Sequence, residues 1–209
     1  MTLAVVIVLF TALCALVEVL ARRIRLSPEL VRKLAHMSSA VLAAFLPLVV
    51  SFAEIAVLGI AFAAVMAASL RFGVFNAIHG VSRRTYGEVF FPLGIAALAV
   101  VCPSELPFAY GVLVLGLGDG LAALVGGRFG RRVVPLVQTR KTLWGSGAFL
   151  AVCFALGVLI LAPTGVSLSY ALVAAAAMAV ALTPIELFLT YGLDNLLLPT
   201  LAGLLLTGL

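Results

Sequence analysis

A single carboxylate, Asp119, sits inside an apolar, glycine-rich run, Gly116-Leu-Gly-Asp119-Gly-Leu-Ala-Ala-Leu-Val-Gly126-Gly-Arg-Phe-Gly130. An ionised acid so close to hydrocarbon is costly, and where one is kept it commonly has a partner or a task. Gly116 and Gly120 fit close helix packing as well as function, because small residues four apart let two backbones approach. Gly126 and Gly130 flank Arg128, where a flexible loop with free backbone N–H groups would cradle phosphate oxygens. The stretch Gln138-Thr-Arg140-Lys141-Thr142-Leu-Trp-Gly145 follows; Lys141 offers phosphate a point charge and Thr142 a hydroxyl. Acid, glycine loop and Lys-Thr are the parts phosphoryl transfer requires: a metal-holding carboxylate, donors for phosphate oxygens and a cation for developing charge. The arrangement is not a Walker A motif, since GxxxxGK[ST] is absent.

Three further patches can join this set. In Val31-Arg32-Lys33-Leu-Ala-His36, helical spacing puts Arg32, Lys33 and His36 on one face. A histidine opening an apolar run is, taken alone, more often a satisfied interfacial residue than a catalytic one. Glu88 enters an apolar run directly after Arg83-Arg84-Thr-Tyr86-Gly87, so a simple ion pair competes with a functional role there. Glu186, Asp194 and Asn195 fall in the otherwise apolar Pro184-Ile-Glu186…Gly192-Leu-Asp194-Asn195…Pro199. Carboxylates beside phosphate-binding cations, with no cysteine or histidine cluster, favour a hard divalent cation such as Mg²⁺. Asp119, with Glu88 or Asp194, is the expected metal set.

These side chains need elements to position them, and composition says which kind. Of 209 residues 65% are hydrophobic and 10% charged, which excludes a soluble domain of this size. Apolar runs at 2–21, 34–50, 55–70, 88–101, 108–126, 144–162, 168–186 and 196–209 are expected to form one all-α integral membrane bundle over residues 1–209. About seven to eight transmembrane helices result, since roughly 20 residues cross a bilayer core. The runs 88–101 and 196–209 are short for a crossing.

All 13 Lys and Arg fall after the first, third and fifth spans, while the connections 51–54, 102–107 and 163–167 hold none. With the N-terminus outside, three basic loops at about 22–33, 71–87 and 127–143 are cytoplasmic, and 187–195 joins them on that side. The net charge of +5 then reads as topology and lipid-headgroup anchoring, not nucleic-acid binding. No Lys or Arg precedes the first apolar run, so it reads as a retained helix and not a cleaved signal. Cys14, Cys102 and Cys153 lie far apart with no CxxC spacing, which argues for packing and against disulfides or zinc. Asp119, Glu88, Glu186 and Asp194 all map to the basic side. An active site at the cytoplasmic face of a cell membrane is the expectation.

The residues resemble those of the membrane-bound polyprenol kinases, a family that includes dolichol, phytol and farnesol kinases and the CTP-dependent diacylglycerol kinase of yeast. The family's early Arg-Lys-x-x-His is similar to Arg32-Lys33-Leu-Ala-His36. Its Arg…Gly-Glu…Pro-Leu element resembles Arg83/Arg84, Gly87-Glu88 and Pro92-Leu93. Its nucleotide-binding stretch, Asp-x-x-Ala-x-x-x-Gly-x-x-x-Gly followed by Lys-Thr-x-Glu-Gly, resembles Asp119, Ala122, Gly126, Gly130 and Lys141-Thr142-Leu-Trp-Gly145. Its late Glu…Gly-x-Asp-Asn-x-x-x-Pro matches Glu186, Gly192, Asp194, Asn195 and Pro199. Trp144 departs from the pattern, standing where the family has Glu.

The resemblance implies a kinase that moves the terminal phosphate of a nucleoside triphosphate, CTP before ATP, onto an isoprenoid alcohol such as phytol, farnesol, geranylgeraniol or dolichol. It implies Asp119, Glu88, Lys141 and His36 as catalytic groups. Arg32, Lys33, Gly126, Gly130, Arg140, Lys141, Thr142 and Gly145 would meet the nucleotide, with Arg84, Glu186 and Asn195 in support. Two rivals are weaker. A cytidylyltransferase making CDP-diacylglycerol would release pyrophosphate, but the Lys-Asp and His-Gly-Gly…Asp-Arg signatures are absent. A transporter would carry polar groups at the midplane of several spans, whereas the span centres are Ala, Leu, Val and Ile.

Overall fold

The computed structural model describes residues 2–72, 86–130 and 141–209, and its regular structure is helical throughout. The described helices are α1 (Thr2–Ile24), α2 (Pro28–Ala44), α3 (Phe52–Phe72), α4 (Gly87–Val101), α5 (Glu105–Phe129), α6 (Leu143–Leu161), α7 (Leu168–Phe188) and α8 (Leu193–Thr207). Five apolar stretches are long enough to cross a membrane: Leu3–Ala21, Phe52–Phe72, Glu105–Phe129, Leu143–Thr164 and Leu168–Phe188. The chain is an integral membrane protein. The two runs expected to be short are short, α4 and α8 having 15 residues each.

Local chemistry sets the helix starts. Ser27 Oγ accepts the Leu30 N–H, Thr142 Oγ1 the Gly145 N–H and Ser167 Oγ the Tyr170 N–H, each satisfying a donor the first turn leaves open. The cap at Ser27 corrects the expected boundary of the first basic loop, 22–33. Helix α2 begins at Pro28, so Arg32 and Lys33 are helical and buried, not loop residues. The expected loop 187–195 shrinks as well. Tyr191 at φ 58° and Gly192 at φ 90° reverse the chain abruptly, which brings Asp194 and Asn195 into the first turn of α8.

Helix α5 is continuous but not regular. Val114–Asp119 forms a π-helical turn within it, and Asp119 is the last residue of that turn. Such turns insert an extra residue and re-aim the side chains around them, which is why they recur at functional sites. Gly116 lies within it, packed so closely on Ala40 of α2 that a Cβ there would collide with the Ala40 methyl. The sequence left packing and function open at this glycine; the structure shows the packing.

The two ends of the bundle differ. At one end the starts of α4 and α8 are tied together, Asn195 Nδ2 donating to the Gly87 carbonyl at 2.9 Å and the Tyr86 N–H to the Tyr191 carbonyl at 3.3 Å. Lys33, Asp119, Lys141, Glu186 and Asp194 gather there too. At the other end the Tyr170 hydroxyl donates to the Leu209 carbonyl at 3.0 Å. The cores between are aliphatic and aromatic, with Phe108, Tyr110 and Phe149 fully enclosed. Cys14, Cys102 and Cys153 are buried among these apolar side chains.

Candidate active site

The polar end holds two linked groups of side chains on either side of α2. On the α5 side, Lys33 Nζ lies 2.5 Å from Asp119 Oδ2 and 3.5 Å from the Asp119 carbonyl. Lys33 is 2% exposed and Asp119 8%, so this pair is almost fully withdrawn from solvent. A lone charge at either position would be prohibitive; each is tolerable because the other is there.

Next to it, Lys141 reaches three acceptors of α7 and α8. Its Nζ is 2.7 Å from Glu186 Oε1 and 3.6 Å from Asp194 Oδ2, and it also donates to the Glu186 carbonyl. Asp194 Oδ1 accepts the Asn195 N–H at 3.1 Å. The Asp119 and Asp194 carboxylates act on each other electrostatically, and both feel Lys141 and Lys33. The sequence placed these groups on one side of the membrane; the fold gathers them into one cluster. Two acceptor oxygens at its edge, Glu186 Oε2 and Asn195 Oδ1, are buried with no hydrogen-bond donor.

The other face of α2 looks onto a cleft of about 210 Å³ bounded by α1, α2, α3 and α4. Its walls are apolar, with Val6, Phe10, Leu46, Ile55, Phe62 and Ile95 among them. Polar side chains collect at one end of it: Arg32, His36 and Glu88. The His36 ring lies 4.2 Å from the Phe91 ring, and its Nε2 is buried with no hydrogen-bond partner. Arg32 holds Glu29 at 2.7 Å and also feels the Asp119 and Glu88 carboxylates. Nearby residues of one helix therefore serve two compartments: Arg32 and His36 line the cleft, although both also feel Asp119, and Lys33 joins the cluster.

One expectation needs correcting and another is narrowed. Gly126 is not in a flexible loop: α5 continues through it to Phe129, and the Gly130 N–H is already bonded to the Gly126 carbonyl. Gly126 is small because α6 crosses it. A Cβ there would stand 2.8 Å from Thr142 Oγ1, and one at Gly145 2.8 Å from the Ala122 carbonyl. Of the two expected partners for Asp119 at a metal, the fold brings Asp194 into the same cluster, whereas Glu88 lines the apolar cleft. Among the described residues, no three His, Cys, Asp or Glu side chains converge on one point. Arg84 and Arg140, also expected here, lie outside the described residues.

Over 186 residues, 86% of this chain and 79% of the relative, the sequence is 34% identical to the phytol kinase of a Synechocystis species. The chain belongs to the polyprenol and phytol kinase family. No family model matches it, and no solved structure matches it. Within this family the departure at Trp144 now has a location. The Trp144 side chain is exposed, on the outer surface beside Val125, Gly147 and Ala148. Phe72, Tyr86, Phe129, Phe188 and Tyr191 are exposed near the same end of the bundle. Aromatic side chains in that arrangement suit the boundary between hydrocarbon and headgroups.

Proposed function

We propose that the protein is a prenol kinase that phosphorylates an isoprenoid alcohol of the phytol or farnesol class with a nucleoside triphosphate, CTP being the first donor to try. The observation that carries this reading is the division at α2: an apolar intramembrane cleft with a polar head on one face, and a buried cluster of two lysines and three carboxylates on the other. A prenyl tail fits the first, and its hydroxyl would rest near His36 and Glu88. Triphosphate oxygens fit the second, where Lys33 and Lys141 would exchange their carboxylate partners for phosphates.

A divalent cation fits the same cluster. Asp119 and Asp194 lie within reach of each other's charge, and Glu186 Oε2 and Asn195 Oδ1 are oxygen acceptors without donors. Mg²⁺ commonly takes only one or two carboxylates when substrate phosphates supply other ligands, so a three-carboxylate cage is not required. When bound, the ion would neutralise charge developing on the transferred group. Asp119 and Asp194 are the groups that would hold it, with Glu186 Oε2 and Asn195 Oδ1 as neighbouring acceptors. The protein's own part is positioning: Lys33 and Lys141 fix the phosphates, Glu88 faces the hydroxyl, and the apolar walls keep water from competing as acceptor.

The test uses the purified full chain in lipid nanodiscs with Mg²⁺ and CTP or ATP, against phytol, geranylgeraniol, farnesol and dolichol. The expected product is a prenyl monophosphate with nucleoside diphosphate. Absence of lipid phosphate with every donor and every alcohol would sink the reading. Pyrophosphate in place of the diphosphate would redirect it to nucleotidyl transfer. The polar end of the bundle is assigned to the cytoplasmic side on the distribution of the 13 cations in the sequence.

A further inference from the structure

Glu29 has no assigned part in the motif pattern, yet it makes a two-point contact with Arg32 at the polar end of the cleft. It stands in the first turn of α2, where a negative charge is favoured by the helix N-terminus, one turn before Arg32. Arg32 Nε lies 3.4 Å from Glu29 Oε2, and Arg32 Nη2 2.7 Å from Glu29 Oε1. The carboxylate thus grips one edge of the guanidinium with both oxygens, the planar two-point match that Arg makes and Lys cannot.

Burial shows which partner depends on the other. The Glu29 side chain is 46% exposed and the Arg32 side chain 6%. A surface carboxylate gains little from such a pair, whereas a buried guanidinium needs its charge compensated and its plane fixed. With Nε and one Nη2 hydrogen engaged, the opposite edge of the fork stays available, and Arg32 both lines the cleft and feels Asp119 and Glu88. The guanidinium therefore stands where the cluster and the cleft adjoin.

We infer that Glu29 is a positioning residue, which aims the free edge of Arg32 at the phosphoryl group as it passes from nucleotide to alcohol. The inference rests on the kinase reading. In that step the alcohol oxygen bonds to the terminal phosphorus, and the bond from that phosphorus to its bridging oxygen breaks. The bridging electron pair leaves on the nucleoside diphosphate, and the hydroxyl proton passes to the Glu88 carboxylate. Arg32 donates to the equatorial oxygens between the two, where charge is spread in the transition state.

The experiment is steady-state kinetics of Glu29→Gln, Arg32→Lys and the double variant in nanodiscs, each first checked for wild-type elution in size exclusion. Glu29→Gln keeps the shape and loses the charge. Its kcat is expected to fall about a hundredfold with both KM values near wild type, as for a misplaced transition-state group. Arg32→Lys should lose a similar factor, and adding Glu29→Gln to it should cost nothing more, because the lost geometry is shared. Glu29→Asp stands in under the same criteria if the Gln variant elutes aberrantly. An unchanged kcat, or losses that multiply in the double variant, would overturn the inference. An inactive wild type would overturn the kinase reading instead, so the two failures are distinguishable.

Discussion

The halves of the molecule on either side of α2 solve opposite problems. Helices α5–α8 enclose charge. Lys33, reaching in from α2, and Lys141, just before α6, each have a carboxylate partner there, and glycines at 116, 126 and 145 let the helices around these groups approach closely. Helices α1–α4 enclose space. Their cleft is apolar, and α1 turns a narrow stripe inward, Val6, Phe10, Cys14, Glu18 and Ala21, while most of its surface faces outward. Phe10 and Phe62 meet edge to face at 6.0 Å between α1 and α3. Charge needs rigid, paired surroundings because an unpaired ion is expensive at this depth; a lipid tail needs only room and apolar walls. One half should therefore be intolerant of substitution and the other adaptable.

The largest effect expected is on the charged side. Asp119→Asn leaves Lys33 buried without its counter-ion, and loss of one partner from such a pair costs about 3–5 kcal/mol. Kinase activity should fall below detection, and the thermal unfolding midpoint in detergent should drop. Full activity in Asp119→Asn would remove Asp119 from the metal and phosphate roles. Lys141→Met comes second: the Glu186 and Asp194 carboxylates lose their cation, and KM for the nucleotide should rise at least about tenfold while KM for the alcohol holds. A rise in the alcohol KM alone would reverse the assignment of the two halves.

Much of the first half was legible in the sequence, and the way it fell short is instructive. Asp119 announced itself by lying in hydrocarbon, and the cations by alternating between connections. What the sequence does not carry is pairing. Lys33 and Asp119 are 86 positions apart, and their contact depends on the π turn in α5 and on the bare crossing of Gly116 over Ala40. The glycines misled for the same reason: Gly126 is small for a helix crossing, and sequence alone cannot tell that from a phosphate loop. The cleft was invisible, since Val6, Ile55, Phe62 and Ile95 look like any lipid-facing residues until four helices place them around one space. Nor could spacing separate Arg32 and His36 from Lys33, because only the positions of α4 and α5 decide which neighbour each one meets.

Smaller effects are expected on the adaptable side. Phe62→Ala should enlarge the cleft between α1 and α3, leave the nucleotide KM alone, and shift preference among alcohols by a few-fold toward bulkier chains, about the size that pocket methylenes confer. A competition assay with farnesol, phytol and geranylgeraniol reads this directly. Unchanged selectivity would argue that the tail lies elsewhere. Smallest of all is Trp144→Glu, which restores the residue of the family pattern on an outer surface. With both KM values and kcat within about threefold of wild type, Trp144 is a boundary residue. A gain of an order of magnitude would instead place the family's Glu in contact with nucleotide or metal.

The division of labour across α2 is tested most directly by photolabelling. A farnesol analogue bearing a terminal diazirine would be irradiated with the full-length protein in nanodiscs, and the labelled peptides identified by mass spectrometry. Labels should fall on α1, α2, α3 and α4, at residues such as Val6, Phe10, Ile55 and Phe62, and excess phytol should compete them away. They should persist in Lys141→Met, because the charged cluster takes no part in holding the tail. Competed labelling on α6 or α7 would contradict the account.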